Sequence, residues 1–178
     1  MSRFTKCKIG VIQITCTNDK IENFKVVEKL MKESYAQGTK FIFLPENVDF
    51  ISKCKDEMRK IAEPIDGDLI KKYQKFAAEY KQWISLGSVH MKRGDEIFNS
   101  QVIIDSDGKI QSVYDKVHLF DANVCVNFDA TSIRESNYIT RGQNAPCVVK
   151  DTPVGNLGLT IVSLEIMLPF LIIMIWLK

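Results

Sequence analysis

The chain reads as an α/β protein in which helices cover a largely buried sheet, and three observations predict this. Two short apolar runs without alternation, Lys8 to Ile14 and Phe41 to Leu44, have the pattern of strands buried on both faces. A helical period stands between them, so strand, helix and strand follow one another as in a right-handed crossover. Two later apolar runs joined by a turn sequence add a hairpin to the same layered arrangement. No repeat, low-complexity stretch or linker divides the 178 residues, and a chain of this length buries one core of ordinary size.

The first strand, Lys8-Ile9-Gly10-Val11-Ile12-Gln13-Ile14, gives way to turn formers between Thr15 and Asp19. Asp19 precedes Glu22 at capping-box spacing, Phe24, Val27, Met31 and Tyr35 then recur every three to four residues, and Gly38 ends the helix. Phe41 to Leu44 is the second strand, stopped by Pro45. After a weakly patterned stretch, Pro64 and Gly67 punctuate the chain. Leu69, Tyr73, Phe76, Ala77 and Tyr80 form the apolar stripe of a second helix whose other face is rich in lysine. Trp83 to Val89 and Ile97 to Ile104 read as strands, and Asp105-Ser106-Asp107-Gly108 turns the latter into a hairpin with Lys109 to Tyr114.

The 24 basic and 22 acidic residues are scattered, without the clustered basic stripe that phosphate backbones require, so nucleic acid is not an expected partner. Cys7, Cys16, Cys54, Cys125 and Cys147 are odd in number and contain no CxxC pair, which fits a reducing compartment. The charged opening Met1 to Lys8 lacks the apolar stretch of a secretory signal. The cytosol is the expected compartment, with the mitochondrion as the alternative. His90 and His118 are the only histidines, too few for a His-rich metal site, and structural roles are expected for both.

Two residues stand where chemistry collects. Glu46 lies just past the second strand, at the end of a sheet where functional groups gather, although a lone acid there is more often a solvated loop residue or cap. Lys116 follows a predicted strand among apolar and aromatic neighbours. There it is costly unless paired, and otherwise snorkels at the strand end.

Taken together, Phe43-Leu44-Pro45-Glu46, Phe98-Asn99-Ser100, Asp107-Gly108-Lys109-Ile110 and Tyr114-Asp115-Lys116-Val117-His118-Leu119-Phe120-Asp121 resemble, in order, the landmarks of the nitrilase superfamily of carbon-nitrogen hydrolases. Gln13-Ile14-Thr15, Asn23-Phe24, Gly142 and Asp151 to Leu159 extend the resemblance over residues 8 to 161. Pro45-Glu46-Asn47-Val48-Asp49-Phe50 and Glu63-Pro64, with the two N-terminal motifs, resemble most the deaminated-glutathione amidase branch. The resemblance implies a four-layer α-β-β-α sandwich, here lacking its C-terminal elements. It also implies a Glu-Lys-Cys set whose thiolate attacks an amide or nitrile carbon. Glu46 matches the general base, which takes the thiol proton and returns it to departing ammonia. Lys116 matches the cation that stabilises the developing oxyanion. Glu135 matches the second glutamate, which orients the lysine or substrate, although residues 122 to 134 depart from the family's Pro-Gly-containing loop. The implied substrate is a small carboxylate-bearing amide such as deaminated glutathione. Nitrilase, ureidopropionase-like and ω-amidase activities are its neighbours, a homo-oligomer is the implied assembly, and no metal or organic cofactor is implied.

The pattern breaks after Gly158-Leu159-Thr160-Ile161, where the family runs from a strand directly into its cysteine and this chain has Val162. Valine has no lone pair with which to attack, so an amidase-family chain that does not itself hydrolyse amides is expected. Cys125, in the loop after the lysine motif, is displaced from the attack geometry that a substitute would need. Residues 162–178 read as a hydrophobic tail outside the family pattern, and Val162-Ser163 fits translation into a retained intron. The apolar run Ile166 to Leu177 contains Pro169 and falls short of the roughly twenty residues of a spanning helix, so membrane insertion is not expected. Without the C-terminal elements, apolar faces and strand edges stay open, which predicts poor solubility or dependence on a partner. Two alternatives accompany the amidase reading: a non-catalytic pseudoenzyme binding a full-length relative or ligand, and a by-product with a membrane-associating tail.

Overall fold

Asp19 starts the first helix much as the sequence predicts, its Oδ1 accepting the backbone N–H groups of Ile21 and Glu22 at 3.0 Å each. Only half of a capping box forms, because Glu22 reaches outward to Lys25. The computed structural model, which describes residues 6–52, 54–126 and 129–161, runs this helix, α1, over Lys20–Ala36, with Val27 and Met31 fully buried on its inner face. Gly38 follows with φ +78°, the left-handed conformation that closes the helix.

On either side of α1 lie β1 (Ile9–Val11) and β2 (Phe41–Phe43), paired in parallel with Ile9 opposite Phe41. β1 is shorter than its apolar run and is not buried on both faces: it is a sheet edge, with Ile9 46% and Val11 75% exposed. β2 pairs in parallel with β3 (Trp83–Arg93). β3, β4 (Glu96–Ile104) and β5 (Ile110–Asp115) then continue antiparallel, giving one five-stranded sheet in sequence order. The predicted hairpin is thus β4–β5, and β3–β4 forms a second one closed at Gly94 (φ +61°).

Two helices precede β3: α2 (Lys55–Ile61), in the weakly patterned stretch, and α3 (Asp68–Tyr80), whose predicted stripe buries Leu69, Tyr73, Phe76 and Ala77. α1 and α3 pack on the same sheet face, against Ile42, Ile84, Leu86, Val102 and Ile104. Each such aliphatic side chain contributes about 1.5–3 kcal/mol when buried. The opposite face, with Phe41, Ile103 and Tyr114, is covered by Val149, Leu159 and Ile161, in and just after the hairpin of β8 (Val148–Thr152) and β9 (Gly155–Gly158). The expected strand over residues 158–161 is not formed: β9 ends at Gly158, the Leu159 N–H donates to the Cys147 carbonyl, and the remainder is held by burial. A separate ribbon, β6 (Asp121–Val126) with β7 (Asp129–Arg134), fills the region expected to be a divergent loop. The described residues are therefore the partial sandwich: a helical layer, one sheet, and a hairpin on the sheet's other face. Among them no helix is long and apolar enough to cross a membrane, and the hydrophobic tail lies outside them.

Candidate active site

Glu46 is positioned by a loop pressed onto β3. Gly87 permits this contact: a Cβ there would stand 2.1 Å from the Leu44 carbonyl oxygen and 2.5 Å from the Pro45 carbonyl. The next residue ties the loop down. The Ser88 N–H donates to Pro45 O (3.3 Å), its carbonyl accepts from Val48 N–H (3.0 Å), and its Oγ accepts from Asn47 N–H (2.8 Å). Asn47 turns through φ 53°, a left-handed conformation that asparagine tolerates better than most residues. The β3–β4 register shifts between Leu86 and Val89 at this same contact, as β-bulges do beside functional sites.

Lys116 lies just past β5. Its N–H donates to Asn99 O (2.8 Å) and its carbonyl accepts from Gly142 N–H (2.9 Å), so two neighbouring segments fix its backbone. The side chain is only 4% exposed, and Nζ lies 2.9 Å from Glu46 Oε1 and 3.0 Å from Glu135 Oε2. Glu135 opens a 3-10 turn, Glu135–Asn137, and its Oε2 also accepts the Phe120 N–H at 2.6 Å. All three residues singled out from the sequence meet at one point. Burial opposes the ammonium charge, but the hydrogen bond Lys116 donates to Glu46 and the charges of both glutamates outweigh it and hold the Lys116 pKa above the ordinary lysine value.

Asn99, noticed in the sequence only as part of a motif, is the fourth member. Only 1% exposed on β4, it donates from Nδ2 to Glu46 Oε1 (2.8 Å) and to Glu135 Oε1 (3.2 Å). The strand register that brings it here was not legible in the sequence. That register also places His90 of β3 directly opposite Asn99. His90 has the structural partner expected of it: Nδ1 lies 3.0 Å from Asp49 Oδ1, and its backbone N–H donates to Asp49 Oδ2 at 2.8 Å. Yet the ring also lines the cavity above Lys116, a space of about 480 Å³ walled by Glu46, Glu135, Phe120, Met58 and Tyr138.

None of the described residues lining this cavity is a cysteine. Val162 lies outside the described residues, as does the side chain of Cys125. No group of three or more His, Cys, Asp or Glu side chains is placed to hold a metal among the described residues.

Known proteins are similar to this chain over most of its length. The family model for carbon-nitrogen hydrolases matches residues 8–174. Rat deaminated glutathione amidase is 37% identical over 158 residues, which cover 86% of this chain and 47% of the rat protein. The nitrilase and fragile histidine triad fusion protein NitFhit of Drosophila melanogaster is 36% identical over 155 residues, covering 86% of this chain and 32% of the fusion. The crystal structure of C. elegans NitFhit superposes with a TM-score of 0.73 at 32% identity, over 85% of this chain and 37% of that one. The chain spans about half the length, or less, of these relatives. With the family model matched over almost its whole length, the chain belongs to the carbon-nitrogen hydrolase family.

Proposed function

We propose that the cavity around Lys116 is the amide-binding part of a hydrolase site for a small carboxylate-bearing amide such as deaminated glutathione. In this proposal the present chain, with Val162 where the nucleophile belongs, binds such a compound without hydrolysing it. The observation that carries the reading is the grip of two carboxylates on one buried ammonium. An ammonium has three N–H donors. Two are committed to Glu46 and Glu135, which leaves one for the oxygen of a bound amide, where negative charge would grow during attack. Glu46, which lines the cavity with its side chain 37% exposed, is the base in this scheme, and Glu135 keeps Lys116 aimed. The division of the chain into a family part, 8–161, and a tail, 162–178, rests on Val162 and on the tail's apolar composition. The family match itself continues to residue 174.

The test is calorimetric titration of the full chain with deaminated glutathione, alongside an assay for its hydrolysis products. Binding without turnover is expected. Turnover would overturn the part assigned to Val162, and absence of binding would overturn the assignment of the cavity.

A second reading, pairing with a longer relative, is favoured by the exposed Ile9 and Val11 on the outer edge of β1. Co-purification with a full-length family member, abolished by charged residues at both positions, is its expected signature.

A further inference from the structure

We propose that His90, held by Asp49, receives the acid end of a carboxylate-bearing amide in the cavity around Lys116. This rests on the amide reading above and assigns the second end of the ligand.

Geometry fixes the imidazole before any ligand arrives. Asp49 takes the Nδ1 edge at 3.0 Å, and Phe50 stacks on the ring with centroids 4.3 Å apart and planes 27° from parallel. His90 is 5% exposed, yet it lines the cavity. An ionised Asp49 only accepts hydrogen bonds, so Nδ1 carries a proton, and a second proton on Nε2 turns the ring into a cation that donates into the cavity.

Charge makes that second proton useful. Asp49 is 2% exposed and pairs with no lysine or arginine among the described residues, so a charged His90 is the counter-charge its burial calls for. Across the cavity, Glu46 and Glu135 outnumber Lys116, whose ammonium they already share. A ligand carboxylate drawn toward that trio meets net negative charge, whereas at His90 it meets a donor on a ring braced by Asp49. The other titratable groups near Asp49 are the Cys16 thiol and the buried Tyr73 hydroxyl, both of which burial and then Asp49 itself keep protonated. They add no charge there.

The cross-strand register supplies the spacing. His90 faces Asn99, which touches both glutamates, so His90 and Lys116 open onto one cavity in which a single small ligand can meet both.

Succinamate and butyramide separate the two ends, since they share a four-carbon amide and differ in the terminal carboxylate. Titrated into the full chain, succinamate is expected to bind roughly tenfold more tightly than butyramide. The advantage should be absent in His90→Gln. A measurement on the unaltered fold runs beside it. With only two histidines in the chain, ring NMR signals are assigned by His118→Asn, and succinamate, not butyramide, should displace the His90 ring resonances. If butyramide binds and succinamate does so no better, or if its advantage survives His90→Gln, the proposal is overturned while the amide cavity stands. If neither binds, the amide cavity falls and this assignment with it.

Discussion

Gly87 and Pro45 are in backbone contact, the strand running so close beneath the loop that a single added carbon at Gly87 would overlap the Pro45 carbonyl. That contact sets the height of Glu46 above the sheet. Gly87→Ala is therefore expected to push the loop away, at about 1–3 kcal/mol. A thermal melt should show a loss of several degrees. An unchanged melt would mean that the loop gives way freely.

Lys116→Met removes the positive charge that Glu46 and Glu135 share. Breaking a fully buried pair costs about 3–5 kcal/mol, but Glu46 is more than a third exposed, and screening reduces the expected loss to about 1–3 kcal/mol. The pH dependence follows from the raised pKa of Lys116. Its stabilisation is complete below the unfolded value, about 10.4, and is lost as pH rises through the higher folded value. Chemical denaturation from pH 7 to 11 should show a constant gap between wild type and variant that narrows only at the alkaline end.

Glu63 joins three helices. Its Oε1 lies 2.5 Å from Lys20 Nζ at the start of α1, its Oε2 accepts the Leu69 N–H at 2.8 Å in the first turn of α3, and the residue itself follows α2. Burial would raise its pKa, but the Leu69 N–H and Lys20 together draw it below the ordinary value. Stability from a depressed carboxylate is present above the unfolded pKa, about 4.3, and is lost as pH falls through the folded one. Glu63→Gln should cost about 0.5–1 kcal/mol at pH 7 and nearly nothing near pH 3, read from urea midpoints at both pH values.

Asp19→Ala leaves two N–H groups of α1 without their side-chain acceptor. The expected cost is about 1 kcal/mol, and Asp19→Ser should recover most of it. Equal losses in both variants would show that the cap contributes little.

Much of this was legible before any coordinates, and the residues that were not share a cause. Asp19 and the stripe Leu69 to Tyr80 are local signals, and Glu46, Lys116 and Glu135 were found because ordered motifs carry them. Asn99 and His90 depend on which residue of β3 faces which residue of β4, and a bulge shifts that pairing midway, so their meeting cannot be counted out along the chain. β1 misled because Ile9 and Val11 are as apolar as a buried strand requires, while what decides burial is whether a neighbour lies on the outer side. α2 is seven residues long, too short to show a period.

One side-chain amide, that of Asn99, touches carboxylates from two loops that are otherwise remote in sequence. The gap between those carboxylates is consequently gauged by the width of a single NH2 group, and neither loop can drift without the other registering it. The two acids and the lysine between them behave as one instrument with a common calibration, so injuries to its separate parts will not sum.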